Sequence, residues 1–247
     1  LAPRAHATIQ TKEISYKEGK TELKGFLAWD DALKGPRPGV LVVHSWMGLG
    51  DYEKGRAKQL AELGYTAFAA DIYGAADTPK DQKGAGVSAG KYKGNRALYR
   101  KRVQAGLDVL AKQAEADKAN LAAIGYCFGG TGVLELARNG ANVKGVVSFH
   151  GGLDSPTPAD GKQIKAKVLV LHGADDFYVP KKDIDALEQE LKDAKVDYQF
   201  VFYSGTVHAF TMPEVGNDPS TGAAYNASSD KRSWIAMKNF LQEIFVK

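Results

Sequence analysis

AAIGYCFGGTG, residues 122–132, leads a short apolar stretch into a cluster of glycines, and at the junction stands the chain's single cysteine, Cys127. Gly125, Gly129, Gly130 and Gly132 surround it. A cysteine packed as a small hydrophobe requires no such glycines. A nucleophile presented on a sharp turn between a strand and a helix does, because side chains two residues to either side would collide with neighbouring backbone. Gly125-x-Cys127-x-Gly129 is the G-x-S-x-G elbow pattern with sulfur in place of oxygen. The helix that follows aims its amino terminus at the sulfur, and its dipole and N–H groups favour the thiolate. The Phe128 N–H is then one arm of an oxyanion hole. The second is expected at the Trp46 N–H, in the loop HSWMGLG (44–50).

Working outward, the elbow's own strand is one of six apolar runs. The others are GVLVVHS (39–45), AFAADIYG (67–74), VKGVVSFHG (143–151), KVLVLHGADD (167–176) and YQFVFYSG (198–205). Continuous Val- and Ile-rich apolarity marks strands buried on both faces, as in a parallel sheet. Between them lie helical patterns over Glu53–Leu63, 98–112, Thr131–Asn139 and Lys181–Ala194, and Ser228 is expected to cap a last helix. Gly64 and Gly140 stand where a left-handed residue commonly ends a helix. EISYKEGKTELKGFLAWDD (13–31) reads as a hairpin around Glu18-Gly19-Lys20 that adds antiparallel strands at one edge. The expectation is an α/β fold: one domain over 9–247, with an eight-stranded, mostly parallel sheet and helices on both faces. The polar stretch 74–94 is long for a connection and reads as a flap over the site or a plain surface excursion.

Composition excludes several alternatives. The chain has 247 residues, 44% hydrophobic and 25% charged, as globular proteins do. No apolar run approaches the roughly 18 residues that span a bilayer. A net charge of +4 is mild, and the basic run 93–102 reads as a solvated helix face, so neither nucleic acid nor a membrane is expected as a partner. One cysteine excludes an internal disulfide and a Cys-rich zinc site, and no H-E-x-x-H spacing occurs, so no metal or other cofactor is expected. Residues 1–8 are set apart from the fold: Ala5-His6-Ala7 reads either as the small-residue end of a cleaved signal peptide, a slight lean toward export, or as an appended remnant. A monomer is expected, with a dimer as the alternative.

In an open α/β sheet, ligands sit beyond the carboxyl ends of the strands. Cys127 ends one strand, Asp175 and Asp176 end another, and His208 follows the last. The order nucleophile, acid, histidine is that of the α/β-hydrolase fold. His208 would take the cysteine's proton, and Asp176, with Asp175 as competitor, would hold the ring in the useful tautomer. His44 and His172 read as structural hydrogen bonders, and His150 as a border of the substrate pocket.

With these residues placed, the chain resembles the dienelactone hydrolase family over nearly all of its length after residue 10. GYCFGG (125–130), DDFYVP (175–180) and GTVHAF (205–210) are the most specific pieces, supported by VLVVHSWMGL (40–49) and LGYTAFAADIYG (63–74). The resemblance places the acid four residues before Pro180, at Asp176. It implies an α/β-hydrolase fold, a Cys-His-Asp triad, and cofactor-free hydrolysis of an enol-lactone or related ester. Two positions depart from the family pattern. Ser45 stands where many members carry a glutamate, and Met212 where the dienelactone enzyme holds the substrate carboxylate with an arginine. Ser45, Met212, His150 and Arg96 are therefore the candidate pocket residues, and Met212 implies a less anionic substrate. The leading expectation is an ester or lactone hydrolase working through a thioester. The alternatives are a non-catalytic ligand-binding protein on the same fold and a thiol redox sensor, the latter weakened by the lack of a resolving cysteine.

Overall fold

The computed structural model of the chain describes residues 8–245. Eight strands hydrogen-bond in the order β1-β2-β4-β3-β5-β6-β7-β8. They are β1 (Ile9–Glu18), β2 (Thr21–Asp30), β3 (Arg37–Val43), β4 (Thr66–Ala70), β5 (Ala116–Tyr126), β6 (Gly145–Phe149), β7 (Lys167–Gly173) and β8 (Tyr198–Tyr203). Six α-helices accompany them: α1 (Asp51–Glu62), α2 (Gln82–Lys93), α3 (Arg96–Ala111), α4 (Phe128–Arg138), α5 (Lys181–Asp193) and α6 (Ala227–Phe245). The chain comprises two compact units that divide between Ala122 and Ala123, inside β5.

In the first unit β1 and β2 form the hairpin, paired from Ile9–Asp30 to Glu18–Thr21, with Gly19 supplying the positive φ of the turn. β2 runs antiparallel to β4, and β4 runs parallel to β3. Every residue of β4 is buried, which is why its sequence, TAFAA, has no polar alternation. Gly64 closes α1 at φ 93° and donates its N–H to the Ala61 carbonyl. The stretch 74–94 differs from a loop: α2 occupies most of it. Gly84, Gly86 and Gly90 hide this helix from a propensity reading. Asp81 caps it by accepting from the Gly84 N–H at 2.7 Å, and Ala85, Ser88 and Tyr92 are buried.

In the second unit β6, β7 and β8 are parallel neighbours. All of α4 is buried, including Glu135 and Arg138 near its C-terminal end. A guanidinium so placed needs partners. Arg138 Nη1 donates to Glu135 at 2.9 Å, and Nε and Nη2 grip both oxygens of Glu190 on α5 at 2.8 Å each. Burial opposes the charge on Arg138, but the two carboxylates outweigh it and hold its pKa above the ordinary value. The cap of α6 is Asn226 rather than Ser228: its Oδ1 accepts from the Ser229 N–H at 3.1 Å, and its own N–H is tied to the Phe210 carbonyl. That tie fixes Asn226 in place and so selects it over the serine.

No helix among the described residues is long and apolar enough to cross a membrane. Ala5-His6-Ala7 lies outside the described residues.

Candidate active site

The elbow is strained where the chemistry requires exposure. Cys127 sits between β5 and α4 at φ 52° and ψ −112°, a conformation that L-residues avoid. A Cβ on Gly125 would run into the Gly129 carbonyl, so the glycine there is sterically obligatory. A Cβ on Gly130 would come within 2.7 Å of Gly151. The turn is held by its backbone: the Cys127 carbonyl accepts from the Gly130 N–H at 3.0 Å, and the Cys127 N–H donates to the Phe149 carbonyl at 3.0 Å.

The acid and the histidine arrive on the loops after β7 and β8. His208 Nε2 lies 3.1 Å from Cys127 Sγ, and its Nδ1 lies 2.7 Å from Asp176 Oδ2. The other Asp176 oxygen accepts from the Tyr178 N–H at 3.0 Å, so both oxygens of this buried carboxylate are engaged. Asp175, the alternative acid, points to solvent. Burial by itself lowers the His208 pKa, but the Cys127 sulfur and the Asp176 carboxylate raise it further, to about 10. The arrangement thus favours an imidazolium beside a thiolate. The Tyr178 ring stands edge-on to His208 at 5.6 Å, a neighbour that nothing in the motif DDFYVP announces.

The remaining candidates occupy varied settings. His150 is fully buried behind the elbow, with Nδ1 accepting from the Cys127 N–H at 3.2 Å and Nε2 at 2.8 Å from Thr211 Oγ1. Met212 is 5% exposed, and its N–H is bonded to the Ala209 carbonyl. In the first unit, Arg96 opens α3 and is 9% exposed, and Ser45 is 2% exposed. Phe128 opens α4, and the Trp46 carbonyl accepts from the Tyr73 hydroxyl at 3.0 Å.

Besides Tyr73, Glu53 and His44 hold the loop 44–50. Glu53, in the first turn of α1, takes the Ser45 N–H at 2.9 Å and the Gly50 N–H at 3.0 Å. Its place three residues after Gly50 is the signal that sequence reading could have used. His44 bridges β3 to the segment after β4: Nδ1–H donates to the Ser45 carbonyl at 2.6 Å, and Nε2 accepts from the Ile72 N–H at 3.1 Å. Burial pushes its pKa down, which keeps this ring neutral. His44 is thus a structural hydrogen bonder. His172 differs: its Nδ1 is buried without a partner among the described residues, its pKa is lowered by burial, and the ring packs edge-on against Phe202 at 5.8 Å.

The dienelactone hydrolase family model matches residues 23–245. A dienelactone hydrolase-like promiscuous phosphotriesterase from metagenomic libraries is 41% identical, with a TM-score of 0.91 over 96% of this chain and 99% of that one. A solved structure named m3DLH is also 41% identical, with a TM-score of 0.90 over 96% of this chain and 99% of that one. A protein of Caenorhabditis elegans is 35% identical over 149 residues, 58% of this chain and 92% of its own length. The chain belongs to the dienelactone hydrolase family, carboxylic ester and lactone hydrolases built on the α/β-hydrolase fold.

Proposed function

We propose that the chain cleaves activated carboxylic esters or lactones through Cys127, His208 and Asp176, by way of a thioester. The observation that carries this reading is the 3.1 Å approach of His208 Nε2 to Cys127 Sγ, with Nδ1 held 2.7 Å from Asp176. The thiolate attacks the carbonyl carbon and forms a C–S bond, and the negative charge moves to the carbonyl oxygen. The Phe128 N–H, at the head of α4, donates to that oxyanion, an interaction worth about 3 kcal/mol in barriers of this type. Collapse breaks the C–O bond, and the leaving oxygen takes the proton from His208 Nε2. In a lactone the leaving oxygen stays tethered to the acyl group. Water then attacks the thioester while His208 accepts its proton, the C–S bond breaks, and a carboxylic acid leaves. Thiolates displace good leaving groups, so enol and aryl esters are preferred over amides.

Cys127→Ala tests this on an aryl ester and lactone panel. We expect kcat/KM to fall at least about 10⁴-fold. Full turnover in the variant, or in wild type with Cys127 quantitatively alkylated, would contradict the reading. Saturable binding without turnover, unchanged in the variant, would instead favour a binding protein.

The 41% identical phosphotriesterase relative favours one further reading, that the same thiolate also attacks an activated aryl phosphotriester. The expected outcome is a slower release of aryl alcohol that disappears with the ester activity in Cys127→Ala. Aryl alcohol release that survives in the variant would remove this second activity from the site.

A further inference from the structure

His150 stands one residue beyond β6 and is fully buried. Its backbone is strained, at φ 38°, and is held by donation of its N–H to the Leu171 carbonyl at 2.9 Å. Among the described residues four non-glycines have positive φ, and three of them are Cys127, His150 and Ala209, the last directly after His208. Strain of this kind persists only where the surroundings over-determine it. Around His150 those surroundings are the two halves of the triad.

The ring is read from its hydrogen bonds. The Cys127 N–H is shared between the Phe149 carbonyl at 3.0 Å and His150 Nδ1 at 3.2 Å, and a ring nitrogen that faces a donor in this way is the unprotonated acceptor. The ring proton therefore sits on Nε2 and is donated to Thr211 Oγ1 at 2.8 Å. Thr211 is itself fully buried, three residues after His208. The His150 ring also meets His208 edge-on at 5.4 Å and Phe210 at 5.1 Å. One imidazole thus ties the amide of the nucleophile's residue to the loop that carries its base.

We infer that His150 is a positioning residue for the proposed thiol chemistry: as the neutral Nε2–H tautomer it bridges the Cys127 amide and Thr211, and so sets the sulfur–imidazole approach. Its two ring hydrogen bonds go to the Cys127 amide and to Thr211, not to the sulfur or to His208 Nε2. The inference rests on the proposed role of Cys127 and His208, and it adds that their spacing is fixed by a third histidine beneath them. Geometry that slackens by an ångström at such a pair costs up to about 10²-fold in rate.

One spectroscopic and four kinetic readings test the role of His150. Ring nitrogen resonances of wild-type protein labelled in histidine should report His150 as Nε2–H, and a proton on Nδ1 would overturn the inference whether or not the protein hydrolyses anything. His150→Phe keeps the ring and removes both hydrogen bonds, and should lower kcat on an aryl ester about 10- to 100-fold with KM within about twofold. Thr211→Val should lower kcat in the same sense by a smaller factor, and the double variant should lose no more than His150→Phe alone. His150→Asn retains an acceptor for the Cys127 amide and should recover part of the kcat lost in His150→Phe. Wild-type kcat per folded molecule in His150→Phe, or in Thr211→Val should His150→Phe not fold, would overturn the inference. So would His150→Asn no better than His150→Phe. Failure of the thiol mechanism itself reads differently: Cys127→Ala then keeps its turnover.

Discussion

At its C-terminal end α4 carries Arg138, whose guanidinium is closed by Glu135 and both oxygens of Glu190. At its other end the same helix abuts Cys127, held at a positive φ with its sulfur 3.1 Å from an imidazole. Both ends are polar groups in largely buried surroundings, yet one is saturated and the other is left able to react. Structural anchoring and reactive geometry thus occupy opposite ends of one helix. The ion cluster fixes α4 against α5, while the elbow is held at its positive φ by its own backbone bonds to Gly130 and Phe149.

Substitutions at the two ends should therefore separate activity from stability. Beyond the nucleophile itself, the largest effect is expected from Asp176→Asn, which leaves His208 without its carboxylate and frees the wrong tautomer. The rate on an aryl ester should fall about 10³- to 10⁴-fold, with the midpoint of denaturant unfolding little changed. An equal loss of stability would mean that the proposed triad and the ion cluster do not separate activity from stability. Arg138→Met should do the reverse. It strands two buried carboxylates at a cost of about 3–5 kcal/mol, read by urea unfolding, while kcat of the remaining folded enzyme stays near wild type.

The third effect depends on pH. Because the His208 pKa is raised to about 10, the imidazolium persists through neutral pH and keeps the thiolate beside it as pH falls. A thiol without that partner titrates near 8.5. Iodoacetamide should therefore alkylate wild-type Cys127 about 10- to 100-fold faster than it alkylates the His208→Ala variant at mildly acidic pH, with the gap closing as pH rises past the ordinary thiol value. A constant ratio across pH would contradict the ion pair. The smallest effect belongs to neither end: Asn226→Ala removes the cap of α6 and should cost about 1 kcal/mol of stability, again by unfolding, with activity unaltered.

What could be read from the sequence followed from local physics. Central strands such as TAFAA and GVVSF are buried on both faces, so their apolarity is continuous and conspicuous. Gly125 is required by the Gly129 carbonyl four residues on, whereas Gly130 is required by the distant Gly151, and the acid and histidine fall at strand ends that the apolar pattern defines. What escaped depends on contacts between distant residues. α2 survives its three glycines because Asp81 caps it and Tyr92 is buried. Asn226 and Ser228 are equally good caps in isolation, and only the bond to the Phe210 carbonyl selects the first. His150 reads as a pocket residue because it ends a strand near the others. Its actual partners, Cys127 and Thr211, lie 23 and 61 residues away and are not encoded in its neighbourhood.

The reactive end of α4 is tested most directly by catching the acyl group. Mixed with an activated aryl acetate and quenched in acid within the first turnover, the protein should release aryl alcohol in a burst stoichiometric with enzyme. It should also carry one acetyl group on the peptide containing Cys127, absent from Cys127→Ala. Steady turnover with no acylated peptide at any time after mixing, or an acetyl group that maps to another residue, would contradict a thioester on this cysteine.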